Sequence, residues 1–230
     1  MRHAAAIVLA VTLASLPCSA TIRSTLTILL EFDRPASQST LIEMERELGR
    51  LLHPAGLDVN VRFRSDVHSG ESFDDLLIVT MKGSCDTEQD PMLLDERGPS
   101  PLAFAHTVGA NILPFTVIVC DAVRRTVEPA LWGGQHRDRE QLFGRALGRV
   151  LAHELFHVLE KTAIHSRSGI FRKSLSGQEL IGDSLNFAPS DIERLKRNVE
   201  KRPSPVLTGP PTPVPVTSLS TDDGSVTSFR

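Results

Sequence analysis

The chain has 230 residues, of which 40% are hydrophobic and 23% charged, with a formal net charge of -3. This is ordinary globular composition, sufficient for one good-sized domain with extensions. It carries no long basic patch, no tyrosine and a single tryptophan, so nucleic-acid binding by charge or by base stacking is unsupported.

At the start of the chain, Arg2 and His3 precede an apolar run from Ala4 to Leu16, and Pro17-Cys18-Ser19-Ala20 supplies small residues for cleavage after Ala20. Residues 1–20 therefore read as a signal peptide, and the mature protein is expected to be secreted or periplasmic. A lipid anchor on Cys18 is the rival reading, with Ser15 and Pro17 as poor neighbours for it. The run is short for a membrane span, and no second apolar run of that kind follows. Removing the signal leaves Cys85 and Cys120. In an exported chain two cysteines point to a disulfide; the rival role is a thiol that guards a metal.

The first strand is predicted at Thr25–Phe32. A helix follows, with Thr40 and Glu43 as a capping box and Leu41, Ile42, Met44, Leu48, Leu51 and Leu52 at helical spacing, stopped by Pro54-Ala55-Gly56. Val59, Val61 and Phe63 alternate in a second strand, and Asp75–Met81 reads as a third, more buried one. Leu102–His106 is expected at a sheet edge, and Leu113–Cys120 as a strong buried strand. A loop containing Trp132-Gly133-Gly134 comes next. From about Arg139 the pattern turns helical, with Leu142, Phe143, Ala146, Leu147, Val150, Leu151, Leu155 and Val158 forming an apolar stripe interrupted only by Gly144 and Gly148. A late helix is expected from Ser190, boxed by Glu193. From Pro203 the chain is rich in Pro, Ser and Thr, and residues 201–230 read as a disordered tail. The mature fold is thus expected to be α/β, with two helices packed on a sheet.

The residues that carry chemistry lie on the long helix. In His153-Glu154-Leu155-Phe156-His157 the two histidines are four apart, so both imidazoles share one helix face and can grip one metal ion. Glu154 is placed to act on water at that metal. His165, eight residues after His157, completes a three-ligand site with one open position, the pattern of a zinc hydrolase that uses one catalytic ion. The other histidines, His53, His68, His106 and His136, read as surface, loop or packing residues, and Glu160 as a solvated residue near the helix end.

The long helix, the third histidine followed by Ser166, and the run Pro189-Ser190-Asp191-Ile192-Glu193-Arg194-Leu195 resemble the metzincin zinc metallopeptidases, matrixin-like ones in particular. The resemblance spans about Thr21 to Arg197. It implies a metzincin-like mixed sheet, a domain at 21–200, and zinc held by His153, His157 and His165. It further implies Glu154 as the general base in hydrolysis of a protein or peptide substrate. It also implies that the third and fifth strands are parallel neighbours whose ends bring Cys85 and Cys120 together. The chain departs from the family pattern at three points. Glu160 stands where the family has a left-handed Gly, and Ala163 where it has the third His, so the connection to His165 is expected to be longer. No Met follows Met92, so the family's Met beneath the metal is absent, and Leu175 is the candidate to fill its space. Two other readings stay open. Glu179, 22 residues after His157, is spaced like the third ligand of thermolysin-like gluzincins, although Ser176 and Glu179 also form a capping box. A non-catalytic exported zinc-binding protein is the other.

Overall fold

The computed structural model describes residues 24–87, 101–131 and 138–201. The expected signal peptide, the loop at Trp132-Gly133-Gly134 with His136, and nearly all of the expected tail lie outside them. Five strands, β1 (Ser24–Arg34), β2 (Leu57–Phe63), β3 (Leu76–Ser84), β4 (Ala103–Val108) and β5 (Asn111–Val119), form one sheet in the order β2-β1-β3-β5-β4. All neighbours are parallel except β4, which runs antiparallel to β5 at the edge. The helices are α1 (Gln38–Leu52), α2 (Cys120–Leu131), α3 (Arg139–Glu160), α4 (Gly177–Ile181) and α5 (Pro189–Glu200). The fold is mixed α/β, as the alternation of strand and helix patterns implied. Among the described residues, no helix is long and apolar enough to cross a membrane.

The core lies between one face of the sheet and helices α1 and α3. Alternate residues of β1 (Leu26, Ile28, Leu30) and of β3 (Leu77, Val79, Met81) meet Met44, Leu48 and Leu52 of α1 and Phe143, Leu147 and Leu151 of α3. The two glycines in the apolar stripe of α3 are explained by the closeness of α1. A Cβ on Gly144 would sit 2.4 Å from the Thr40 carbonyl oxygen, and one on Gly148 would sit 2.7 Å from that of Met44. The helices are also tied by buried charge. Arg149 Nε donates to Glu47 at 2.6 Å, and Arg50 donates to the other oxygen of the same carboxylate at 2.7 Å.

Several local expectations need correction. Helix α1 starts three residues earlier than its apolar pattern suggested. Ser37 is its cap and accepts from Thr40 N–H at 3.2 Å, while Glu43 pairs with Arg46 instead of closing a box with Thr40. Strand β5 ends at Val119, and Cys120 opens α2, a helix not foreseen. Its signal was present as Val123, Val127 and Leu131 at four-residue spacing, all buried. Helix α5 begins at Pro189, because proline suits the first helical turn. Ala188 sits at its cap, and Glu193 pairs with Lys196, so the Ser190–Glu193 box does not form. The parallel pairing of β3 and β5 brings their C-terminal ends together, and Cys85 and Cys120 are joined there as a fully buried disulfide.

Candidate metal centre

His153 and His157 leave α3 one turn apart on the same side. His165 reaches them from the segment after the helix. Nε2 of His153 lies 3.2 Å from Nε2 of His157 and 3.2 Å from Nε2 of His165. Among the described residues these three form the group of metal-type donors, with their ligand atoms within 4.8 Å of one another.

The back of each helical imidazole fixes its tautomer. His153 Nδ1–H donates to the Ile170 carbonyl oxygen at 2.9 Å, and His157 Nδ1–H to that of Thr162 at 2.6 Å. A carbonyl can only accept, so the proton sits on Nδ1 and the Nε2 lone pair faces the cluster. Burial favours the neutral form of all three rings. It pushes His153 down to about 4, against an opposing pull from the Ile170 hydrogen bond, and it also lowers His157. His165 is lowered by burial, then by the charges of His157 and Lys173. Neutral lone pairs crowded at 3.2 Å repel one another unless a cation lies among them. This donor set therefore fits a zinc ion with a fourth position open to the cleft.

The connection from His157 to His165 accounts for the departures in sequence. Helix α3 continues through Glu160, and the left-handed residue is Lys161, with φ 48 and ψ 42. Its side chain donates from Nζ to the Ile112 carbonyl at 3.0 Å, tying the turn to β5. Beyond His165, Ser166 donates to Asp191 at 2.7 Å, and its backbone N–H bonds the Phe171 carbonyl at 2.9 Å. The loop is thereby pinned to α5. The space beneath the site is filled by Phe171, not Leu175. The Phe171 ring lies 5.1 Å from His153, 4.7 Å from His157 and 5.3 Å from His165, centre to centre, and is fully buried. Leu175 stands in the wall of the adjacent cleft. Phe171 went unnoticed in the sequence, although Ile170-Phe171 is the one apolar pair in a polar stretch.

Glu154 opens into the same cleft, a cavity of about 540 Å³ between β4 and the segment Arg172–Leu175. It is 7% exposed. Burial pushes its carboxyl up to about 7, while a hydrogen bond from the Ala105 backbone acts in the other direction. Glu179 is elsewhere. It closes the capping box of α4 with Ser176 and pairs with Arg172. Glu160 faces Arg194 at 3.2 Å, not the cluster. His106 is exposed on β4, and His53 and His68 are also exposed.

No protein-family model matches the chain, and no curated protein matches it. Among solved structures, it is similar to the crystal structure of archaemetzincin from Methanopyrus kandleri. The identity is 18% and the TM-score 0.45, over 81% of this chain and the whole of that one. The functional reading accordingly rests on the site itself.

Proposed function

We propose that the protein is an exported zinc-dependent endopeptidase, with residues 1–20 as its signal and 21–200 as its catalytic unit. The observation that carries this reading is the convergence of three neutral imidazole Nε2 atoms beside a buried carboxylate in one open cleft. Three histidines with an open position are a catalytic set, whereas structural zinc sites are closed by four protein ligands. A site that only stored metal would have no use for Glu154.

In this reading His153, His157 and His165 hold one ion. The chemistry such an ion supplies when bound is Lewis acidity toward a carbonyl oxygen and toward water, whose pKa it brings to about 7. Glu154 takes the proton of the attacking water and delivers it to the leaving amine. The low polarity around Glu154 gives it the proton affinity to do both. Strand β4 borders the cleft and is one of the two edge strands of the sheet, the other being β2, so an extended peptide can pair with it by strand addition.

The test is turnover of a general protein substrate by the natively exported protein. Zinc-loaded parent should cleave it and a chelator should stop it. Glu154→Gln should keep the zinc yet lose about two to four orders of magnitude in rate. A zinc-loaded parent that cleaves nothing in a broad peptide library would instead make the protein a non-catalytic zinc binder.

A further inference from the structure

The charge of the cleft is distributed unevenly between its walls. From Lys161 to Gln178 the chain holds Lys161, Arg167, Arg172 and Lys173 and no Asp or Glu, within a protein whose net charge is -3. The facing wall, residues 101–112, carries no Asp, Glu, Lys or Arg. Arg172 and Lys173 both line the cleft. Arg172 is half-committed: one terminal nitrogen meets Glu179, while its Nε is buried and has no hydrogen-bond partner among the described residues. Lys173 is exposed and makes no ion pair among the described residues. Among the described residues, Glu154 is the one acid lining this space.

We propose that Lys173, supported by Arg172, selects peptides with acidic side chains next to the bond held at the centre. This rests on the peptidase reading and adds a substrate class to it. A cleft with an excess of one sign of charge and low-polarity walls concentrates ligands of the opposite sign, by about tenfold or more. A peptide is the ligand favoured over another polyanion, because the opposite wall is a strand edge with apolar and small residues, Leu102, Ala103 and Ala105, suited to an extended backbone.

Binding to zinc-loaded Glu154→Gln protein tests this without requiring turnover. The probes are fluorescent peptides identical except for Glu, Ala or Lys at the positions flanking the central bond, read by anisotropy. The Glu peptide should bind about tenfold tighter than the Lys peptide, and the gap should narrow as salt rises. Adding Lys173→Glu, an exposed change, should abolish or invert the order, with retained zinc showing that fold and centre survive. Equal affinities, no binding by any peptide, or an order unchanged in Lys173→Glu would overturn the proposal. So would a single-stranded oligonucleotide binding as tightly as the Glu peptide. Acid-selective binding together with a parent that cleaves no peptide would leave the selectivity standing and sink only the peptidase reading.

Discussion

The Thr162 carbonyl oxygen lies 2.6 Å from Nδ1 of His157, and the left-handed turn at Lys161 brings it there. This conformation costs an L-residue about 1–2 kcal/mol and costs glycine nothing comparable. Both Lys161→Gly and Lys161→Ala lose the side-chain bond to Ile112, so that loss cancels between them. The Gly variant should therefore be more stable than the Ala variant by about 1 kcal/mol in urea unfolding. Equal midpoints would mean that the turn is not left-handed in solution.

Phe171 is the floor on which all three imidazoles rest. Phe171→Ala should destabilise the fold by about 3–5 kcal/mol, the usual range for a fully buried aromatic. It should also weaken zinc binding, because His153 and His165 lose the surface that orients them. Chemical denaturation with a zinc titration of the folded variant checks both effects. Unchanged zinc affinity would show that the backbone carbonyls alone position the rings.

Most of the sheet was legible in the sequence, because its buried strands carry alternation or short, β-branched apolar runs bounded by turn residues. The metal-type residues were legible for a related reason: four-residue spacing on a strongly periodic helix leaves little freedom in where two side chains point. The third histidine came from its spacing and a family resemblance, and the structure brings it to the other two. What was hidden depends on contacts distant in sequence. Phe171 faces the site only because Ser166 is held by Asp191 and Ile170 N–H by the Asn186 carbonyl. Glu43 left the expected capping box because Arg46, one turn on, and Arg145, on α3, compete for its carboxylate. Helix α2 differs: its own apolar spacing was visible but lay directly behind a strand.

Glu47 links α1 to α3 and should make stability depend on pH. Burial alone would raise its pKa, but hydrogen bonds from Arg50 and Arg149, with their charges, outweigh that and hold it below the ordinary 4.5. A depressed carboxyl stabilises the fold above its unfolded pKa, and that contribution is lost as pH falls through the folded value. Stability should therefore be level in this respect above about pH 5 and fall below it. Glu47→Gln should flatten the acid limb and cost about 3–5 kcal/mol at neutral pH, because two cations lose their partner. Denaturant midpoints across pH 3–7 for parent and variant (a range set by the ordinary carboxylate pKa of about 4.3) measure both.

His165 and Glu179 can be separated by metal affinity. His165→Ala should weaken zinc binding severely, since it removes one of three converging donors. Glu179→Ala should leave zinc in place and loosen the start of α4 by about 1 kcal/mol, the typical worth of a cap. Isothermal titration of zinc into the stripped proteins, with thermal unfolding alongside, reads both quantities. The reverse pattern would move the third ligand to Glu179.

The most direct measurement on the central claim is zinc-edge X-ray absorption of the zinc-loaded parent. The account expects about one zinc per chain, bound by three imidazole nitrogens at about 2.0–2.1 Å with a light atom in the open position. In His153→Ala and His157→Ala the signal should vanish with the metal. A first shell containing sulfur, a closed shell of four protein donors, or stoichiometric zinc retained by both histidine variants would contradict it.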